Sequence, residues 1–90
     1  MDHDIKLVKA IAVSPGQMRA ARGLIGWSQT KLSVEARLSL PTVARFEADK
    51  GPNVSDDAVT KMRRALEAAG VEFTNGDEPG VKLNKKGKRN

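Results

Sequence analysis

The stretch Trp27–Glu47, WSQTKLSVEARLSLPTVARFE, constrains the fold more than any other part of this chain. It reads as two short helices joined by a three-residue corner. Ser28 is a favourable N-cap and Gln29 opens the first helix. Leu32 and Ala36 then fall on one face at i, i+4 spacing. Arg37, Leu38 and Ser39 break that pattern. Ser39 caps a second helix, and Pro41 sits in its first turn, where a missing N–H costs little. Val43, Phe46 and Ala44 supply its buried side, while Thr42 and Arg45 stand on its polar side. A short supporting helix is thus followed by a short presented one.

The flanking segments carry their own signals. Ser14-Pro15-Gly16-Gln17 is a helix start: Ser14 caps, Pro15 takes the first helical position and Gln17 completes a capping box. Met18, Ala21 and Ile25 line one face, with Leu24 beside them, and Gly26 is a stop. Trp27 is expected to pack at the junction that follows. Ala48–Asn53 reads as a loop. Ser55 caps a further helix, with Asp56 and Asp57 in its first turn, where the helix dipole favours negative charge. Val59, Met62, Leu66 and Ala69 make its apolar stripe; Lys61, Arg63 and Arg64 are placed on or near the polar side. Gly70 ends it. Val71–Thr74 and Val81–Asn84 alternate with a period of two around the turn-rich Asn75–Gly80, which predicts a β-hairpin. Residues 1–13 fit both an extended and a helical period, and are read as an extended arm. Residues 85–90, KKGKRN, read as a disordered basic tail.

Ninety residues make one small domain with a modest core. The net charge of +5 is unevenly spread. Residues 14–51 carry six basic and three acidic side chains, residues 52–84 four basic and six acidic, and the tail four basic. Positive charge therefore gathers on the two-helix segment and the tail, which suits a polyanion. No cysteine is present; disulfides and thiol catalysis are excluded, and a reducing cytoplasm is expected. No apolar run approaches membrane-spanning length, and IKLVKAIAV is too short and charged for a signal peptide. His3, between Asp2 and Asp4, cannot converge with them on one ion. Neither metal nor cofactor is expected. With no glycine-rich phosphate loop and little room for a pocket, neither is catalysis.

The segment QMRAARGLIGWSQTKLSVEARLSLPTVARFEADKG resembles the Cro/C1-type, or XRE-like, helix-turn-helix regulators of bacteria and phages. The features that match are an arginine in the first helix before the GWSQ junction, then Leu32 and Ala36, then the helix from Ser39 to Glu47. The resemblance covers about half the chain. It implies a mainly α, lambda-repressor-like helix-turn-helix bundle of about four helices over residues 14–70, with a C-terminal β-hairpin over 71–84 as a possible dimerisation element. It implies a DNA-binding transcriptional regulator of repressor type, acting as a homodimer on double-stranded DNA with helix 40–47 in the major groove.

Carried over position by position, the resemblance puts Leu40, Pro41, Thr42 and Arg45 against base edges. Arg45 can make two hydrogen bonds to guanine, whereas Leu40 and Pro41 offer only apolar contact, for example to a thymine methyl. Glutamine is frequent at those two positions in phage repressors, so fewer base hydrogen bonds and more shape readout are expected. Ser28 and Gln29, at a helix N-terminus, fall where the family grips a phosphate. Arg19, Lys31, Arg37 and Lys50 are further phosphate candidates. Arg22 and Glu47 match an ion pair that bridges the first helix to the end of the recognition helix. At the corner the family usually has glycine, because the turn takes a left-handed residue. Arg37 departs from this at a cost of roughly 1 kcal/mol. The rival expectation is an antitoxin, or a protein-docking subunit of the same fold, using the hairpin edge.

Overall fold

The computed structural model describes residues 13–48, 54–75 and 79–84. Four helices and a hairpin follow in order: α1 (Pro15–Ile25), α2 (Gln29–Ala36), α3 (Leu40–Glu47), α4 (Asp56–Ala68), β1 (Val71–Thr74) and β2 (Gly80–Leu83). The fold is a mainly α helix-turn-helix bundle with a C-terminal β-hairpin. Of the arm expected over residues 1–13 only Val13 is described; residues 1–12, the loop residues 49–53 with Lys50, the turn residues 76–78 and the tail 85–90 lie outside the described residues.

Each helix begins on a serine whose side-chain oxygen accepts a backbone N–H three residues on: Ser14 from Gln17, Ser28 from Lys31, Ser39 from Thr42 and Ser55 from Ala58. Such caps satisfy donors that the helix itself cannot, each worth about 1 kcal/mol. Helices of eight residues are too short to persist alone, so α2 and α3 depend on the faces they bury. Met18 and Ala21 of α1, Leu32 and Ala36 of α2, Val43 and Phe46 of α3, Met62 and Leu66 of α4, with Val13 and Val71, form one buried cluster. Trp27 is half-buried against it. Burying each large apolar side chain contributes roughly 1.5–3 kcal/mol, so the two short helices are held by Leu32, Val43 and Phe46 rather than by propensity.

The corners follow from backbone chemistry. Gly26 closes α1 in the left-handed region (φ 70°), and its N–H caps carbonyls of α1. Arg37 closes α2 in the same region (φ 60°, ψ 46°), as the one non-glycine residue with positive φ among those described. The chain therefore keeps the left-handed corner without glycine. Leu38 N–H reaches back to the Ser33 carbonyl at 2.9 Å, which closes the turn and supports the strained residue.

The hairpin is antiparallel, with Val71 opposite Leu83, Glu72 opposite Lys82, Phe73 opposite Val81 and Thr74 opposite Gly80. Val71, Phe73 and Val81 turn to the core while Glu72 and Lys82 are exposed, the alternation a half-buried sheet requires. The second strand begins at Gly80, one residue before the sequence alternation. In α4 the buried face is wider than the sequence stripe. Ala58 and Arg63 are buried, whereas Val59 and Ala69 are only half-buried. Arg63, read as polar-side, is turned inward and folded back along its own helix, where Nη1 donates to both Glu67 carboxylate oxygens at 2.9 Å.

Candidate nucleic-acid interface

The site is built around Glu47, the last residue of α3, whose side chain is 2% exposed. A carboxylate so buried is costly unless fully paired. Arg22 of α1 pairs with it through two parallel bonds, Nε to Oε2 at 2.8 Å and Nη2 to Oε1 at 2.6 Å. The Nη1 of the same guanidinium donates to the Trp27 carbonyl at 2.9 Å. Gln29 of α2 adds a bond from Nε2 to Glu47 Oε1 at 3.1 Å. Arg19 Nη1 donates to the Glu47 backbone carbonyl. Side chains from α1 and α2 thus converge on the end of α3 and fix its angle to both. The hydrogen bond to Glu47 raises the Arg22 pKa above the ordinary guanidinium value; desolvation opposes the rise and the charge of Glu47 adds to it. Arg22 is therefore charged throughout the ordinary pH range.

This cluster changes how the phosphate candidates stand in the free protein. Gln29 and Arg19 are engaged on Glu47. Lys31 pairs with Glu35 at 3.1 Å and lies 5.6 Å over the Trp27 ring. The Ser28 side-chain oxygen accepts the Lys31 N–H, leaving its own hydrogen available. Arg37 is exposed at the corner, and with Lys61 and Arg64 it lines an open groove between the end of α2 and α4. Lys50 lies outside the described residues.

The base-reading candidates all sit on α3, on the side away from Val43 and Phe46. Leu40, Pro41 and Arg45 are exposed and Thr42 is half-exposed. No hydrogen bond or ion pair within the described residues engages the Arg45 side chain, so its donors face solvent. The Thr42 hydroxyl is hydrogen-bonded to the Ser39 hydroxyl at 2.8 Å.

One structural residue was legible only in part. Gln17 is 6% exposed, and its amide serves two elements at once. Oε1 accepts the Ser14 N–H, completing the capping box, while Nε2 contacts the Thr74 carbonyl at 3.0 Å, Asn75 Oδ1 at 3.2 Å and the Gly80 carbonyl at 3.0 Å. It ties the start of α1 to both strands. Local spacing accounts for the first bond alone.

Comparison with protein-family models finds no match, and none of the curated proteins matches the chain. Among the described residues no helix is long and apolar enough to cross a membrane, and no three metal-ligating side chains gather into a group that could hold an ion.

Proposed function

We propose that this chain is a sequence-specific DNA-binding transcriptional regulator. In this reading α3 enters the major groove, Arg45 reads guanine, and Leu40, Pro41 and Thr42 contact neighbouring bases. The N-terminus of α2, with Ser28 and Gln29, sets the helix pair on the phosphate backbone. Repression follows from occupancy of the site.

The observation that carries the reading is the contrast between the two faces of α3 at its C-terminal turn. Its C-terminal Glu47 is locked to α1 and α2 by a buried charge cluster, while its outer face presents Arg45 without a partner among the described residues. A rigidly aimed short helix with an uncommitted arginine is suited to direct readout, because a bidentate contact tolerates little angular play. The basic balance of residues 14–51 adds attraction to a polyanion.

We further propose a homodimer through the hairpin. Among the described residues the sheet has two strands, so each keeps one edge without a strand neighbour. Such an edge pairs readily with a second copy. A two-fold dimer would place its recognition helices about 34 Å apart. Selection of bound duplexes from random DNA tests both proposals. The expected pool is a palindrome with half-sites one helical turn apart. A pool without enrichment would favour the protein-docking alternative, and a single unrepeated half-site would remove the dimer.

A further inference from the structure

The exposed face of α3 is unusually poor in hydrogen-bonding groups. Pro41, Arg45 and Ala48 are exposed at spacings of four and three; Leu40, 41% exposed, lies beside them, and Ala44 is half-exposed between. Of these, only Arg45 has a polar side chain. Thr42 lies at the edge of this face, half-exposed, with its hydroxyl paired to that of Ser39 at 2.8 Å and a methyl as its other branch. The face is therefore one long donor set in an apolar surface.

In the major groove, thymine shows a carbonyl acceptor and a C5 methyl, and cytosine an amino donor. Leu40, Pro41 and Ala44 can neither donate nor accept, so they sense only the methyl. Arg45 cannot accept from the cytosine amino group, since a guanidinium has no acceptor. Pyrimidines facing Leu40 and Pro41 are thus distinguishable by their C5 substituent, whereas Arg45 can also donate to the thymine carbonyl.

Resting on the DNA-binding reading above, we infer that α3 reads pyrimidines through the C5 methyl, so that 5-methylcytosine substitutes for thymine at the steps facing Leu40 and Pro41. The chain then responds to cytosine methylation within its site: methylation creates the apolar contact that thymine otherwise supplies.

The test uses the full chain and a duplex enriched from random DNA, in which each half-site pyrimidine in turn is thymine, uracil, cytosine or 5-methylcytosine. Affinity is read by fluorescence anisotropy. Uracil is expected to bind about fourfold more weakly than thymine, and cytosine about fourfold more weakly than 5-methylcytosine, as loss of one buried methyl requires. Leu40→Ala, at an exposed position, is expected to narrow the thymine–uracil gap. Uracil binding as tightly as thymine at every step, or 5-methylcytosine binding as weakly as cytosine, would overturn the inference while leaving the DNA-binding reading intact. Failure to enrich any duplex would overturn both.

Discussion

Gln29 Nε2 donates to Glu47 Oε1 at 3.1 Å, so the residue that opens α2 also holds the residue that ends α3. The same carboxylate takes two bonds from Arg22. The helix pair is therefore aimed by one buried charge rather than by its corner, which Arg37 alone would leave strained.

Arg22→Ala is expected to cost on the order of 3–5 kcal/mol, because it leaves Glu47 buried with Gln29 as its remaining side-chain partner. Urea denaturation checks this. Replacing both partners together, by Met at Arg22 and Leu at Glu47, should cost much less. The raised Arg22 pKa means that its contribution is complete below the ordinary guanidinium pKa and is lost only as pH rises through the higher folded value. Arg22 should thus add no slope to stability between about pH 6 and 9. A loss under about 1 kcal/mol for Arg22→Ala would show that the cluster does not hold α3.

Gln17→Ala should cost about 1–3 kcal/mol by removing the donor shared by the Thr74 and Gly80 carbonyls. Hydrogen exchange should quicken in β1 and β2 before it quickens in α2 or α3. Uniform acceleration would mean that the hairpin is held by Val71, Phe73 and Val81 alone.

Arg37→Gly should raise stability by up to about 1 kcal/mol, since glycine carries no left-handed penalty, less the extra entropy of its unfolded chain. Arg37→Ala, which keeps the Cβ, should change stability little. Thermal unfolding distinguishes these. Destabilisation by both variants would mean that the Arg37 side chain contributes contacts that offset the strain.

These predictions divide along a line that also separates what the sequence revealed from what it did not. The four serine caps, the glycine stop at Gly26 and the hairpin alternation were legible because each is decided within a few residues; the left-handed corner at Arg37 was expected from the family resemblance alone. Gln17 and Gln29 were only half legible: their bonds to Gly80 and Glu47 join positions far apart in the chain, which no local period encodes. Arg63 was misplaced because it stands at the margin of the α4 stripe, where the i, i+4 partner Glu67 lets a charged group turn inward. That Thr42 and Arg45 stand on the polar side of α3 was legible from the helical period. The commitment of Gln29 and Arg19 to Glu47 was not.

Arg45→Ala should leave stability within about 0.5 kcal/mol, since the side chain is exposed and has no partner among the described residues. It should weaken binding to the selected site by about 1–3 kcal/mol while salt-sensitive binding to any DNA survives. Equal losses on selected and scrambled duplexes would make Arg45 a phosphate contact instead.

The most direct test is an anisotropy titration of the purified chain against its selected duplex and a scrambled one of equal length, at physiological salt. A sequence reader should prefer the selected site by roughly a thousandfold or more. Equal affinity for the two duplexes would contradict the assignment of α3 as a recognition helix.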